Sequence, residues 1–397
     1  MNNLNLIDRS LRQAITNAAT TFPVITITGP RQTGKSTLCR SLFPALPYLN
    51  MADSSLHDLA SKDPKSFWSS YPNGAIIDEA QNCPDIFPQL QIMVDEDRFN
   101  STSTPRRFIL TGSSSLDLLQ DVSQSLTGRT AILNLLPLSV AEIESHFGHV
   151  DTDDLILSGG YPAIWLSPSD SRHLIISNYY TTFIERDARR LVNIEDLVAF
   201  QSFIRLCASH IGKELNISSL AIEVGVTTTT IKHWLSLLSA SFILYLLPSY
   251  HSNIDKRLTK APKVYFYDTA VAAFLLGIDS TSELVSHPLR GALFENLVIN
   301  EFIKQDTNAG KNRHFFFYTD KSQREIDLLI SSPLGLEAYE IKAAKSMKPS
   351  FFSTIDYLSD SLSFSRLSVI YDGSAERTSA IHASLNFRHI NLLSSPL

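Results

Sequence analysis

The chain has 397 residues, of which 44% are hydrophobic, and its formal net charge at pH 7 is -6. This length and apolar content predict a folded protein of two or three domains, and no basic field covers the molecule. Any contact with nucleic acid must therefore come from local patches. Cys39, Cys83 and Cys207 have neither zinc spacing nor a disulfide framework, and no segment has the pattern of a signal peptide or a membrane span. We expect a soluble, cytoplasmic protein that does not bind membranes.

Apolar runs alternate with mixed stretches between residues 22 and 139. The runs FPVITITG, LPYLNMA, GAIIDEA, RRFILTGSS and RTAILNLLPLS have the composition of strands, and the stretches between them have that of helices. This order predicts an α/β fold with a parallel sheet and helices on both of its faces. We assign residues 1–150 to this domain.

The first strand runs directly into a glycine-containing loop, VITITGPRQTGKSTLC. The loop fits G-x-x-x-x-G-K-[ST], in which backbone N–H groups surround phosphate oxygens, the lysine reaches the β- and γ-phosphates and the hydroxyl binds Mg²⁺. A plain glycine turn before a helix would not need a lysine and a serine after the second glycine. We therefore expect ATP and Mg²⁺ as ligands, and the residues predicted to surround the nucleotide are Gly29, Pro30, Arg31, Gln32, Thr33, Gly34, Lys35, Ser36 and Thr37.

Two acids follow the third strand, in GAIIDEAQ. Ligands of open α/β sheets bind at the carboxyl ends of the strands, where Asp78 and Glu79 emerge. We predict that Asp78 joins Ser36 in holding Mg²⁺ and that Glu79 activates the attacking water. The alternative is a pair of solvated acids after a strand.

The fourth and fifth strands add further candidates. Thr111 and Ser113 end RRFILTGSS, where their hydroxyls could sense the γ-phosphate or cap the backbone. Arg129, in SLTGRTAIL, could stabilise the transition state as an arginine finger or could be a surface arginine. If Arg129 acts on a neighbouring molecule, the protein must form a homo-oligomer.

The order of TGPRQTGKST, AIIDEAQ, FILTGSSS, SLTGRTAILNLLPLS, SGGYPAIW and YYTTFIERDARR resembles a bacterial and archaeal group of AAA-type P-loop ATPases. The resemblance covers nearly the whole chain. It implies an AAA-like ATPase core, a helical segment, a winged-helix-like region and a C-terminal domain similar to restriction-type nucleases.

The middle region, residues 151–284, is predominantly helical in pattern, with a winged-helix-like module at about residues 205–265. Two short helices separated by Gly225 have helix-turn-helix spacing. In a DNA-binding arrangement, a groove would be contacted by Thr228, Thr229 and Lys232, with a basic wing formed by Lys256, Arg257, Lys260 and Lys263. The same fold could instead serve packing or dimerisation. IERDARR, at residues 184–190, reads as a salt-bridged helix face.

The C-terminal region, residues 285–397, combines a helix with several strands and has a second set of acidic residues. Glu295 lies on an amphipathic stretch, Asp327 lies in REIDLLI, and Glu340 and Lys342 lie in LEAYEIKAA. This spacing resembles the PD-(D/E)xK nucleases, with the proline before the aspartate replaced. In an active enzyme Asp327, Glu340 and Glu295 would hold Mg²⁺, and Lys342 would orient water or stabilise charge.

A turn around Pro333 and Leu334 would join two antiparallel strands and place Asp327 opposite Glu340, with Lys342 on the same face. Two facing carboxylates require a metal, a proton or a lysine between them. The sequence thus predicts an ATP-hydrolysing AAA-type ATPase coupled to a nuclease-like domain directed at nucleic acid, with DNA preferred to RNA. The alternative is a nucleotide-dependent switch or scaffold with an inactive nuclease-like domain. A small-molecule kinase is a third interpretation.

Overall fold

The computed structural model describes residues 6–102, 105–112, 115–183, 197–251, 260–332, 335–359, 362–379 and 382–394. The chain forms two compact units. The first, here called the P-loop unit, consists of residues 8–136 and 307–311. The second, here called the helix–sheet unit, consists of residues 1–7, 137–306 and 312–397.

A parallel sheet forms the centre of the P-loop unit, as the alternating pattern predicted. Its strands are β1 (Val24–Thr28), β2 (Tyr48–Asn50), β3 (Gly74–Asp78), β4 (Arg107–Thr111) and β5 (Thr130–Asn134). Their order is β2-β3-β4-β1-β5, so β4 separates the strand of the acids from the strand of the glycine loop. Every residue of β1 and β3 is buried, which accounts for their continuous apolar composition.

Helices connect the strands of the P-loop unit. They are α1 (Arg12–Thr21), α2 (Lys35–Leu42), α3 (Ser54–Lys62), α4 (Pro64–Ser69), α5 (Ile86–Phe99) and α6 (Ser115–Ser125). Side-chain caps fix where two of them begin: Asp53 accepts from the N–H of Ser55, and Asp63 accepts from that of Ser66. Helix α2 begins at the lysine of the glycine loop, so the loop joins β1 to a helix amino end.

The helix–sheet unit contains most of the helices of the chain. They are α7 (Val140–Phe147), α8 (Thr152–Ser158), α9 (Pro162–Trp165), α10 (Arg172–Phe183), α11 (Leu197–Ser209), α12 (Ile217–Val224), α13 (Thr228–Ala240), α14 (Thr269–Leu275), α15 (Thr281–Ser286), α16 (Arg290–Asn308) and α17 (Ser353–Ser359). A two-stranded antiparallel sheet follows α13 and consists of β6 (Leu244–Leu247) and β7 (Lys263–Phe266). None of the helices in the described ranges combines the length and the apolar character needed to cross a membrane.

Helices α12 and α13 occupy the predicted helix-turn-helix positions. Gly225 adopts φ 79° at the end of α12, and the predicted inward residues Ile231 and Trp234 of α13 are buried. Thr228 and Lys232 are exposed, as a groove-contacting face would require. The IERDARR segment and the wing residues Lys256 and Arg257 lie outside the described residues. The winged-helix assignment stays a prediction.

A mixed sheet ends the chain, in the order β12-β13-β11-β10-β9-β8. Its strands are β8 (His314–Thr319), β9 (Glu325–Ser332), β10 (Gly335–Lys342), β11 (Phe364–Tyr371), β12 (Arg377–Thr378) and β13 (His382–Asn386). Strands β10, β11 and β13 are parallel to one another, and the remaining pairs are antiparallel.

One hydrophobic core contains residues of both the predicted helical region and the predicted C-terminal domain. Trp234 of the helical region, Phe294 of α16 and Tyr339 of the mixed sheet belong to one hydrophobic core. The side-chain amide of Asn296, also on α16, exchanges two hydrogen bonds of 2.8 Å with the backbone of Phe266 in β7. Helix α16 therefore packs with elements on both sides of the predicted boundary at residue 285, and this boundary stays a prediction. Val140 lies in the same core, and the P-loop unit ends at residue 136.

Candidate functional site

The glycine loop between β1 and α2 has the backbone that a phosphate site requires. Gly29 adopts φ 135° and Gly34 adopts φ 90°, conformations that residues with a Cβ rarely reach. A Cβ at Gly29 would lie 2.4 Å from the carbonyl oxygen of Leu135, whereas Gly34 has open space around it. Position 29 thus requires glycine both for its backbone conformation and because Leu135, directly after β5, approaches it closely. Position 34 requires glycine for its backbone conformation alone.

Lys35 lies inside this loop. Its ammonium donates to the carbonyl oxygens of Gly29 at 2.9 Å and Pro30 at 2.7 Å. Burial lowers the pKa of Lys35 to about 8, although the negative charges of Glu79 and Asp78 act in the opposite direction. The lysine, the loop and both predicted acids therefore belong to one electrostatic site.

Three hydroxyl groups converge on the carboxylate of Asp78 at the end of β3. Ser36 of the loop donates to Oδ2 at 2.8 Å, Tyr48 of β2 donates to the same oxygen at 2.5 Å, and Thr111 of β4 donates to Oδ1. Hydroxyls are neutral, so they orient the carboxylate without cancelling its charge. An aspartate oxygen beside a serine hydroxyl is a donor set that suits Mg²⁺, so the predicted pair of metal ligands fits this ion.

Two residues of this site were missed by reasoning from the sequence. Tyr48 lies in a predicted strand but outside any motif, and burial together with the neighbouring Asp78 raises the pKa of its phenol to about 12. Arg9 is buried and donates to the carbonyl oxygens of Thr33 at 2.7 Å and Leu136 at 2.6 Å. The strand order β2-β3 is the signal that links Tyr48 to the acids, and no local signal identifies Arg9.

Glu79 follows Asp78 in a left-handed backbone conformation, with φ 52° and ψ 44°. The amide nitrogen of Gln81 donates to its carboxylate. Thr111 is buried against Asp78, in agreement with a position next to the metal ligand, and Ser113 lies outside the described residues.

Arg129 lies at the opposite edge of the sheet from the glycine loop. It immediately precedes β5, and its carbonyl oxygen accepts from the N–H of Val24, the first residue of β1. Its guanidinium binds both carboxylate oxygens of Asp95 on α5, each at 2.7 Å. Because the glycine loop follows the other end of β1, a role for Arg129 at the phosphates of its own chain is not supported. A role at the site of a neighbouring molecule stays a prediction.

The second set of acids lies where β9 and β10 pair. The pairing of Tyr339 with Leu328 has the predicted register, in which the next opposed residues are Asp327 and Glu340. One oxygen of Asp327 accepts a hydrogen bond of 2.7 Å from the backbone N–H of Ile341. This side chain therefore binds the backbone of β10 just past the point where the paired residues of β9 and β10 end. The predicted turn residues Pro333 and Leu334 lie outside the described residues.

Lysines already pair with these acids. The ammonium of Lys342 lies 2.5 Å from Glu340 and 3.8 Å from Asp327, which confirms that the three side chains share a face. Lys263 of β7 binds Glu325 and lies 3.6 Å from Glu295. Only 2% of the Lys263 surface is exposed. Its assignment to an exposed basic wing is therefore wrong, because its ammonium is buried beside Glu325 of β9 and Glu295 of α16.

Burial raises the pKa values of three of these carboxyl groups, Glu295, Glu325 and Glu340. The pKa of Glu295 is raised to about 7 and that of Glu340 to about 8, in both cases first by burial and then by the charge of Asp327. Tyr265 also donates to Glu295, at 2.5 Å. Within the described ranges, no three His, Cys, Asp or Glu side chains are arranged to hold a metal ion. The Mg²⁺ site at Glu295, Asp327 and Glu340 stays a prediction.

Three family models match successive parts of the chain. Residues 21–144 match an AAA domain, and residues 150–282 and 290–387 match the domains of unknown function DUF8612 and DUF4143. The sequence is 31% identical to the uncharacterized protein Rv2008c of Mycobacterium tuberculosis over 366 residues, which are 91% of this chain and 78% of that protein. It is 21% identical to the uncharacterized protein MJ1544 of Methanocaldococcus jannaschii over 267 residues, covering 62% of this chain and 57% of that protein.

Solved structures are also similar to parts of the chain. The Walker-type ATPase paby2304 of Pyrococcus abyssi aligns with 69% of this chain and 97% of its own, at 15% identity and a TM-score of 0.47. The replication initiator DnaA bound to AMPPCP and single-stranded DNA aligns with 58% of this chain and 86% of its own, at 12% identity and a TM-score of 0.28.

Proposed function

The chain belongs to the family of Rv2008c from Mycobacterium tuberculosis and carries an AAA-type ATPase domain, and from this premise we propose that it binds ATP with Mg²⁺ and hydrolyses ATP. The observation that carries the proposal is the convergence of Ser36, Tyr48 and Thr111 on Asp78 at the mouth of the glycine loop. An aspartate oxygen placed beside the serine hydroxyl of the loop is a donor pair that suits the Mg²⁺ of a magnesium–phosphate complex.

Each residue of the site has a distinct task in this proposal. Lys35 exchanges its two carbonyl acceptors for phosphate oxygens, and the N–H groups of the loop bind the same phosphates. Ser36 and Asp78 would hold Mg²⁺, which neutralises phosphate charge when bound. Glu79 takes a proton from the attacking water while the water oxygen bonds to the γ-phosphorus, and the bond from that phosphorus to the ADP oxygen breaks.

Two variants separate nucleotide binding from chemistry. Lys35→Ala is expected to lose tight nucleotide binding, whereas Glu79→Gln is expected to bind ATP normally and to hydrolyse it about 10² to 10⁴ times more slowly. Fluorescent-nucleotide titration and phosphate release measure the two properties. Lys62→Ala and Glu96→Gln, which change exposed residues of the same unit, are the matched controls. Unchanged hydrolysis by Glu79→Gln would remove this residue from the mechanism.

For the rest of the chain, a specific observation favours a nucleotide-dependent switch or scaffold with an inactive nuclease-like region. Lys342 pairs with Glu340 and Asp327, and Lys263 pairs with Glu325 and lies near Glu295. The ammonium groups of these two lysines therefore supply the positive charge that a catalytic metal ion would supply. In this proposal the helix–sheet unit binds a partner in a manner that depends on the nucleotide, and does not cut it.

Nucleic acid, and DNA before RNA, is the proposed partner. The exposed amino end of α13, with Thr228, Thr229 and Lys232, supports this choice. ATP turnover is measured with and without single- and double-stranded DNA and RNA, and binding is measured across a range of salt concentrations. Lys232→Ala is expected to weaken binding and to reduce its salt dependence, and Lys321→Ala, at another exposed lysine, is the control. No response to any polymer would favour a protein partner.

A further inference from the structure

The acidic motif of the P-loop unit continues into Gln81, on the short 3₁₀ helix Ala80–Asn82. The amide nitrogen of Gln81 donates to Oε2 of Glu79. The backbone of Glu79 is itself left-handed, at φ 52°, a conformation that residues with a Cβ adopt rarely. The carboxylate predicted to activate water is therefore fixed twice, once by its own backbone and once by a neighbouring amide.

The oxygen at the other end of the same amide group has no hydrogen-bond partner among the described residues. Because a carboxylate only accepts hydrogen bonds when ionised, the Gln81 atom that binds Glu79 must be the nitrogen, and the oxygen is left over. This oxygen is buried and makes no hydrogen bond within the described residues. A buried acceptor without a donor destabilises a fold, so a side chain with a purely structural task would not be expected to leave it unpaired.

Gly112 leaves the space that the Gln81 amide occupies. A Cβ at Gly112 would lie 2.3 Å from the Gln81 oxygen and 2.9 Å from a methyl carbon of Leu118. Gly112 has no left-handed backbone, so the absence of a side chain matters here for space. It directly follows Thr111, which donates to Asp78, and its N–H donates to the carbonyl oxygen of Ile27 in β1. The Gln81 oxygen is thus at the same sheet edge as the proposed metal ligand.

We propose that Gln81 is the positioning residue of Glu79 and that its free oxygen accepts a hydrogen bond from the water that Glu79 activates. One proton of this water goes to Glu79, and the other is held by the Gln81 oxygen while the oxygen–phosphorus bond forms. Gly112 is glycine so that this amide can be present. The inference rests on the proposed ATP hydrolysis and adds a residue to it.

The first test replaces the amide by an uncharged side chain of similar length. Gln81→Met is expected to lower kcat about 10²-fold, with KM and nucleotide affinity unchanged, because only the geometry of the water and its base is lost. A structural defect would instead change affinity and thermal stability together. Gln120→Met, at an exposed glutamine of the same unit, is the control. An unchanged kcat in Gln81→Met, with an active wild-type protein, would overturn this inference and leave the proposed function intact.

A second variant changes the space around the Gln81 amide instead of the amide itself. Gly112→Ala places a Cβ against the Gln81 oxygen and is expected to lower kcat by a similar factor. Combined with Gln81→Ala, which removes the colliding atom, it should cause no further loss in kcat. A Gly112→Ala effect that adds fully to that of Gln81→Ala would overturn the shared mechanism. Absence of ATP turnover in the wild-type protein would overturn the proposed function and this inference with it.

Discussion

Asp78 in the P-loop unit and Glu340 in the helix–sheet unit are both buried carboxyl groups at the end of a strand, yet their partners differ in charge. Asp78 receives hydroxyl groups, which orient it and leave its charge in place. Glu340 is bound by the ammonium of Lys342, and burial together with the charge of Asp327 raises its pKa to about 8. A carboxylate bound by hydroxyl groups can still bind an added cation. A carboxylate bound by a lysine is already paired with a positive charge.

The largest effect is expected from removing the buried ammonium group of Lys263. Lys263→Met leaves the partly buried carboxyl groups of Glu325 and Glu295 without their lysine and is expected to reduce the free energy of unfolding by about 3 kcal/mol. Urea unfolding followed by tryptophan fluorescence measures the loss. Lys260→Met, at an exposed lysine a few residues earlier, is the control. Equal stability of the two variants would show that the acids do not depend on Lys263.

Metal binding tests the comparison directly. Asp78→Asn is expected to weaken Mn²⁺ binding in the presence of a non-hydrolysable ATP analogue by at least about tenfold, which corresponds to about 1.4 kcal/mol. The double variant Asp327→Ala/Glu340→Ala is expected to bind Mn²⁺ as the wild type does. Isothermal titration measures both. A saturable Mn²⁺ site that the double variant loses would restore the predicted nuclease-like metal site.

The hydroxyl partners of Asp78 can be removed singly. Tyr48→Phe deletes one donor to the carboxylate, and we expect the KM for magnesium-bound ATP to rise about threefold to tenfold, corresponding to the roughly 1 kcal/mol of one hydrogen bond. Steady-state kinetics at several Mg²⁺ concentrations measure the change. Tyr71→Phe, elsewhere in the P-loop unit, should have no such effect. A normal KM in Tyr48→Phe would mean that Ser36 and Thr111 suffice to orient Asp78.

The smallest effect is expected at Arg129. Its pairing with Asp95 is partly exposed, so Arg129→Ala should change the thermal unfolding temperature little and should leave ATP turnover within about twofold of the wild type. Thermal unfolding and phosphate release check these two values. A loss of turnover of about 10³-fold would instead support an arginine finger acting between neighbouring molecules.

Local sequence patterns were enough to predict the strands and the loop that carry the two sites. The buried runs VITIT and GAIID predicted two strands of one parallel sheet, and the glycines with Lys35 and Ser36 predicted the phosphate loop. The two residues between β9 and β10 predicted their register, which the pairing of Gly335 with Ser332 confirms. These predictions succeed because side-chain periodicity and turn chemistry depend on residues close together in the chain.

Only the tertiary structure decided which side chains meet. Lys263 was assigned to a basic wing by its neighbours in the sequence, yet its partner Glu325 lies 62 residues away. Tyr48 reaches Asp78 across 30 residues because β2 pairs with β3, and no motif contains it. Helix α16, which follows the predicted boundary at residue 285, shares one hydrophobic core with the helices before it and with the sheet after it. Burial of a charge depends on every element that surrounds it, and such packing is settled only when distant segments fold together.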